Sequence, residues 1–98
     1  MTVVTVLRLA VQRGSEDDVA RVYDEWEIFE RSRESGGFLG GRLLRPLDPN
    51  EPFLVIAEWE SPADYQRWLD NPLRTSLGSH LEPLLEGDVP VGAVYETA

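Results

Sequence analysis

Phe38-Leu39-Gly40-Gly41-Arg42-Leu43-Leu44-Arg45-Pro46, the cluster Asp48-Pro49-Asn50-Glu51-Pro52, and then Phe53-Leu54-Val55-Ile56-Ala57-Glu58-Trp59-Glu60 running into Ser61-Pro62 form the stretch whose reading decides the fold. Two apolar runs flank a short link rich in turn residues, so strands over 38–46 and 53–60 pair as a hairpin. Alternation places Phe53, Val55, Ala57 and Trp59 on one face and Leu54, Ile56 and Glu58 on the other. Ser61 then stands at an N-cap, with Pro62 at the first helical position and Asp64 completing a capping-box spacing. The hairpin therefore leads straight into a helix.

Upstream, Val3 to Val11 reads as a strand. Val3, Thr5, Leu7, Leu9 and Val11 share one face, and Val4, Val6, Arg8 and Ala10 the other. Gly14 ends it. Ser15 and Asp18 have the spacing of a second capping box, which predicts a helix from about Glu16 to Ser35. Val19, Val22, Tyr23, Trp26 and Phe29 form its apolar stripe, and Gly36-Gly37 stops it. Downstream, Tyr65, Trp68 and Leu69 point inward from the second helix, which Asn71-Pro72 interrupts. Leu73, Leu77, Leu81 and Leu84 recur at near-helical spacing. Gly87-Asp88 turns the chain into a last strand over 89–96.

The order βαββαβ predicts one α+β domain over residues 1–98, with a ferredoxin-like four-stranded antiparallel sheet. Helices cover one face only. The other shows Val4, Val6, Leu54, Ile56 and Leu44, and a second copy related by two-fold symmetry would cover it. Arg8, Arg42 and Glu58 share that parity. They either form a polar patch in such an interface or sit wet near the strand edges.

Composition limits the function classes. The 98 residues suit one domain, and the absence of cysteine excludes disulfides and thiolate chemistry. Acidic residues number 18 against 9 basic ones, all arginine, for a net charge of −9. Such a surface repels phosphate backbones and anionic membranes, so neither nucleic acid nor membrane is an expected partner. No apolar stretch is long enough to span a bilayer, and no signal-peptide pattern is present, so a cytoplasmic location is expected. One histidine without cysteine cannot build a two-His-one-carboxylate iron site or a typical zinc site within one chain. The paired glycines 36–37 and 40–41 lack the strand-to-helix context of a dinucleotide loop.

Gly37-Phe38-Leu39-Gly40, Leu43-Leu44-Arg45-Pro46, and Ala57-Glu58-Trp59-Glu60-Ser61 followed by Tyr65 and Trp68 resemble the antibiotic biosynthesis monooxygenase superfamily. The resemblance implies a dimeric α/β barrel. It also implies one of several roles: a cofactor-independent oxygenase turning an aromatic or polyketide-like phenol into a quinone, a haem-binding or haem-degrading enzyme, or a non-catalytic ligand-binding or accessory dimer.

The resemblance puts Trp59 and Tyr65 at two positions that line the substrate pocket in the quinone-forming members. The family's pocket Asn position is Val55 here, and its pocket Arg falls near Gly78. Trp59 either lines such a pocket or is core packing with its indole N–H satisfied. Tyr23, Trp26, Phe29 and Trp68 are candidates for contact with a flat aromatic ligand, and they equally suit an ordinary core. His80 is a candidate proton acceptor, because imidazole ordinarily titrates near neutrality, or else a structural or surface residue. In the haem-degrading relatives the iron-ligand position falls on Gly78, two residues before His80, and the catalytic Asn aligns with Leu7. The leading expectation is a small oxygenase with no dedicated cofactor, with Trp59, Tyr65 and His80 as catalytic candidates; haem is the alternative.

Overall fold

The computed structural model describes residues 1–98. Strand β1 (Val3–Leu9) is followed by helices α1 (Glu16–Glu25) and α2 (Ile28–Glu34), strands β2 (Phe38–Leu44) and β3 (Phe53–Trp59), helices α3 (Pro62–Leu69) and α4 (Pro72–Leu81), a 3₁₀ turn (Glu82–Leu84) and strand β4 (Ala93–Glu96). The sheet is antiparallel throughout, in the order β2-β3-β1-β4. This is the expected ferredoxin-like arrangement. No helix is long and apolar enough to cross a membrane.

The period of two seen in β1 and β3 governs burial. Val3, Thr5, Leu9, Phe53, Val55, Ala57 and Trp59 are buried against the helices. Val4, Val6, Leu54 and Ile56, on the opposite face, stay half-exposed, and Arg8, Arg42 and Glu58 are exposed without an ion pair among them. β1 and β3 bury one face each because no helix lies on the other.

The long helix over 16–35 is a misreading. It breaks at Glu27, whose φ of 49° is left-handed, and restarts at Ile28. The break resets the helical phase. Ile28 and Ser32 become buried, while Trp26 is left 46% exposed. A left-handed non-glycine residue costs about 1–2 kcal/mol, which burial of an isoleucine offsets. The capping box at Ser15 does not form; both Glu16 carboxylate oxygens instead accept from the Gly14 N–H at 2.9 Å. The box at Ser61 does form. Ser61 Oγ accepts from the Asp64 N–H at 3.2 Å and donates to its carboxylate at 2.7 Å.

Strand ends also fall short of expectation. β1 stops at Leu9, with Val11 in a lone bridge to Leu85. β2 stops before Arg45-Pro46. The last strand begins only at Ala93 rather than at Val89. Pro90 has no N–H to give to a ladder, and its carbonyl is taken by Arg74 at 3.1 Å.

Two glycines are required by close approach. At Gly37, with φ of 74°, a Cβ would lie 2.2 Å from the Asp64 side chain. At Gly41 it would lie 2.8 Å from the Phe29 ring. Gly14, also at positive φ, has nothing within 4 Å. Gly37→Ala should therefore cost roughly 2 kcal/mol or more in urea unfolding, and Gly14→Ala only the backbone cost of about 1–2 kcal/mol. Equal costs would contradict the packing role given to Gly37.

Candidate functional site

Between the helices and the inner face of the sheet lies an apolar cavity of about 70 Å³. Trp59 ends β3 and forms its floor. This indole is 2% exposed and donates its N–H to Thr5 Oγ1 at 3.2 Å. Its ring meets Phe38 edge-on at 5.1 Å and tilts against Tyr65 at 5.4 Å. The capped start of α3 sets Tyr65 and Trp68 on the helix's inner side, and both line the cavity. The Tyr65 hydroxyl oxygen accepts from the Gly92 N–H at 2.8 Å. Tyr23 closes the space from α1. Four of the seven predicted residues, Tyr23, Trp59, Tyr65 and Trp68, thus converge on one cavity.

The other three do not. Phe29 packs on Tyr23 at 5.4 Å and on Phe38 at 6.1 Å, in the core beside the cavity. Trp26 leaves the core at the α1–α2 break and stacks on His80 at 4.0 Å, with the rings 13° from parallel. This corrects the expectation that Trp26 faces the space between helices and sheet. His80 consequently lies on the outer side of α4, away from the cavity wall formed by Leu77, Gly78 and Leu81. A proton acceptor inside the cavity is not supplied by imidazole.

Residue pattern missed four contributors, one of them Ile28, buried just after the helix break. Ser32 is buried and lines the cavity, its hydroxyl donating to the Ile28 carbonyl at 2.9 Å. Val89, from the segment before β4, fills the remaining gap beside Gly78. Arg74, on the first turn of α4, is the cavity's one charged lining residue. The resemblance carried the family's pocket arginine to a position near Gly78; Arg74 stands one helical turn earlier on the same wall. Val55 and Gly78 both line the cavity, without polar side chains.

Burial pushes the Tyr23 hydroxyl well above the usual tyrosine range, Arg74 partly opposes this, and Tyr65 adds to it. No group of three His, Asp or Glu side chains is placed to hold a metal ion. A larger groove of about 760 Å³, lined by Arg13, Glu16, Arg45, Glu51 and Glu86, is of mixed charge. It lacks the predominantly apolar wall that small-molecule sites have.

The cavity is small. A dry cavity of about 150 Å³ accepts one benzene. The space present is therefore too small to enclose a whole ring.

The description "Antibiotic biosynthesis monooxygenase" matches residues 2–75. A mycobilin-producing heme oxygenase of Mycobacterium tuberculosis is 37% identical over 54 residues, covering 54% of this chain and 51% of the relative. The chain thus spans about half the length of that relative. Among solved structures, a cofactor-independent oxygenase from Streptomyces nogalater superposes with a TM-score of 0.79 at 22% identity, covering 99% of this chain and 93% of that one. A heme-degrading protein from Mycobacterium tuberculosis superposes at 0.68 with 24% identity, covering 98% and 93%. These two likenesses establish the shared fold.

Tyr23 supplies a test of the cavity's dryness. Its raised value means that folding holds the phenol protonated. The associated stability is whole below about pH 10, the ordinary tyrosine value, and is lost as pH climbs from there toward the higher folded value. Tyr23→Phe should lose less stability than wild type above about pH 10, followed by urea unfolding. Equal alkaline losses would place the hydroxyl in water.

Proposed function

The chain belongs to the antibiotic biosynthesis monooxygenase family, and from that premise we propose that it is an oxygenase acting, without a dedicated cofactor, on an aromatic or polyketide-like phenol. The observation that carries this reading is the apolar, aromatic-walled cavity of Trp59, Tyr65, Trp68 and Tyr23, with one cationic residue on its wall. A phenol that has lost its proton can itself give electrons to dioxygen. One oxygen atom enters the ring as the quinone carbonyl and the other leaves as water. The ring supplies all the electrons, so no outside reductant is needed.

The chain's own residues have limited tasks in this scheme. Trp59, Trp68 and Tyr65 hold the flat ring and keep water from the reactive carbanion or phenolate. Thr5 fixes the Trp59 plane through the indole hydrogen bond. The proton lost by the phenol passes to solvent, because no carboxylate or imidazole lines the cavity.

A haem-degrading role is the second reading, favoured by the identity shared with the heme oxygenase. The donor set does not suit it. The single imidazole stacks on Trp26 outside the cavity, and no histidine, cysteine or methionine lines the space. A haem titration is expected to give no Soret shift. A saturable shift would favour this reading over the first.

Oxygen uptake with a panel of anthrones tests the main proposal. Uptake should match quinone formation mole for mole, resist chelators, and fall roughly tenfold or more in Trp59→Phe, the equivalent of about 1.4 kcal/mol in barrier. No uptake above the uncatalysed rate would leave a binding or accessory role instead.

We also propose a homodimer through the uncovered sheet face. Val4, Val6, Leu54 and Ile56 present half-exposed apolar side chains there, and a domain this small gains stability by covering them. Sedimentation should give twice the chain mass, and Ile56→Glu should halve it. A wild-type monomer at micromolar concentration would rule this out.

A further inference from the structure

One row of residues crosses the uncovered face of the sheet from edge to edge: Gly40 on β2, Glu58 on β3, Val4 on β1 and Tyr95 on β4. Its two ends are opposites in volume. Tyr95 is 55% exposed and is the one aromatic side chain on this face. Gly40 lies in an open hollow of about 280 Å³, bordered by Val4, Ile56, Arg42 and Glu58. About 150 Å³ takes a benzene ring, so the hollow has room for a phenol.

Nothing inside the chain asks for glycine at position 40. Its φ is not left-handed, and a Cβ there would meet nothing within 4 Å. Gly41, on the opposite face, is by contrast held to glycine by Phe29. The bulge beside Gly40 leaves Leu39 unpaired and puts no left-handed residue at 40. Glycine inside a strand weakens it, and it marks places where another group comes close. The rim is charged, and neither Arg42 nor Glu58 has an ion-pair partner in the chain. A carboxylate accepts from a phenol hydroxyl, and a guanidinium stacks on its ring.

Two sheets that pack face to face keep their strands within about 30° of each other. A two-fold axis lying in the interface along the strands keeps each row and reverses the strand order. β4 of one copy then covers β2 of the other, which brings Tyr95 over Gly40 and, by symmetry, Gly40 under Tyr95. Arg42 comes over Ala93, a small and uncharged neighbour. An axis across the strands, centred on the row of Val6 and Ile56, would leave β2 over β2. The two Arg42 guanidinium groups would then meet as like charges.

We propose that Tyr95 of each copy seats in the Gly40 hollow of the other, with its ring against Arg42 and its hydroxyl donating to Glu58. These two reciprocal contacts fix how the sheets of the dimer align. The proposal rests on the homodimer reading for the existence of the second copy. It adds the alignment of the two sheets and the side chains that set it.

The test is sedimentation equilibrium of the full chain and two variants, alone and mixed. Gly40→Leu fills the hollow twice per dimer, and Tyr95→Ala empties it twice. Each should raise the dimer dissociation constant about thirtyfold or more. Neither position is packed within the chain, so both variants keep the monomer fold, which urea unfolding checks. Mixing them is the decisive step. In a heterodimer one contact is the unaltered Gly40 with Tyr95, and in the other the introduced leucine faces the introduced alanine. The mixture should therefore dimerise about tenfold or more tightly than either variant alone. A mixture no tighter than its components overturns the inference, because unrelated damage to the surface gives that result. So does either variant that dimerises as tightly as wild type. If Ile56→Glu still dissociates the dimer in those cases, the uncovered face remains the interface and only this alignment fails. A monomeric wild type sinks the homodimer reading and this inference together.

Discussion

The hydrogen bond from the Trp59 indole to Thr5 ties the two central strands together beneath the helices. A buried N–H without a partner would cost about 1–3 kcal/mol, so the indole can occupy the core only because Thr5 faces the same side one strand away. From this fixed ring the rest of the interior is placed. Phe38 meets its edge, Tyr65 tilts on its face, and Tyr65 in turn holds the Gly92 amide from which β4 begins. One side chain therefore links the sheet, α3 and the C-terminal strand, and the cavity is the space these aromatic rings leave unfilled.

The same contacts explain why the cavity lies on one side of the sheet. The inner face is covered by the helices, and the cavity's aromatic groups come from both sides of that contact: Phe38 and Trp59 from the sheet, Tyr23, Tyr65 and Trp68 from α1 and α3. The outer face carries Val4, Val6, Leu54 and Ile56, Tyr95 of β4, and three charged residues without an ion pair, Arg8, Arg42 and Glu58. A sheet so divided offers a pocket on one face and a half-exposed apolar surface on the other. In the family to which the chain belongs, the fold is shared by an oxygenase and a heme-degrading protein. The fold alone thus does not fix the chemistry, and the polar side chains that line the cavity are Arg74, Tyr23, Tyr65 and Ser32.

Those groups differ in how much of them could be seen in the sequence. Trp59, Tyr65, Trp68 and Tyr23 were visible through strand alternation, a cap signature and helical spacing, because each is a local pattern. Trp26 is placed differently by the structure, and of the two readings open for His80 the structure shows the one outside the cavity. The pattern around Trp26 is that of a continuous helix, and the break at Glu27 depends on Ile28 finding room in a core built by distant strands. Arg74 carried no local signal at all. It reads as a charge in a leucine-spaced segment, and becomes a cavity group only because the strap before β4 returns across α4.

The sequence by itself determined the order of elements, the hairpin, the start of α3 at Ser61-Pro62 and the division of each central strand into a covered and an uncovered face. These follow from period-two alternation, from caps and from turn residues, all of which act within a few positions along the chain. Tertiary structure alone decided where the first helix breaks, where the last strand begins and which polar groups meet in the cavity. Those outcomes turn on volume and partner geometry between segments as far apart as Tyr65 and Gly92, or Arg74 and Pro90, and no local pattern encodes whether such segments meet.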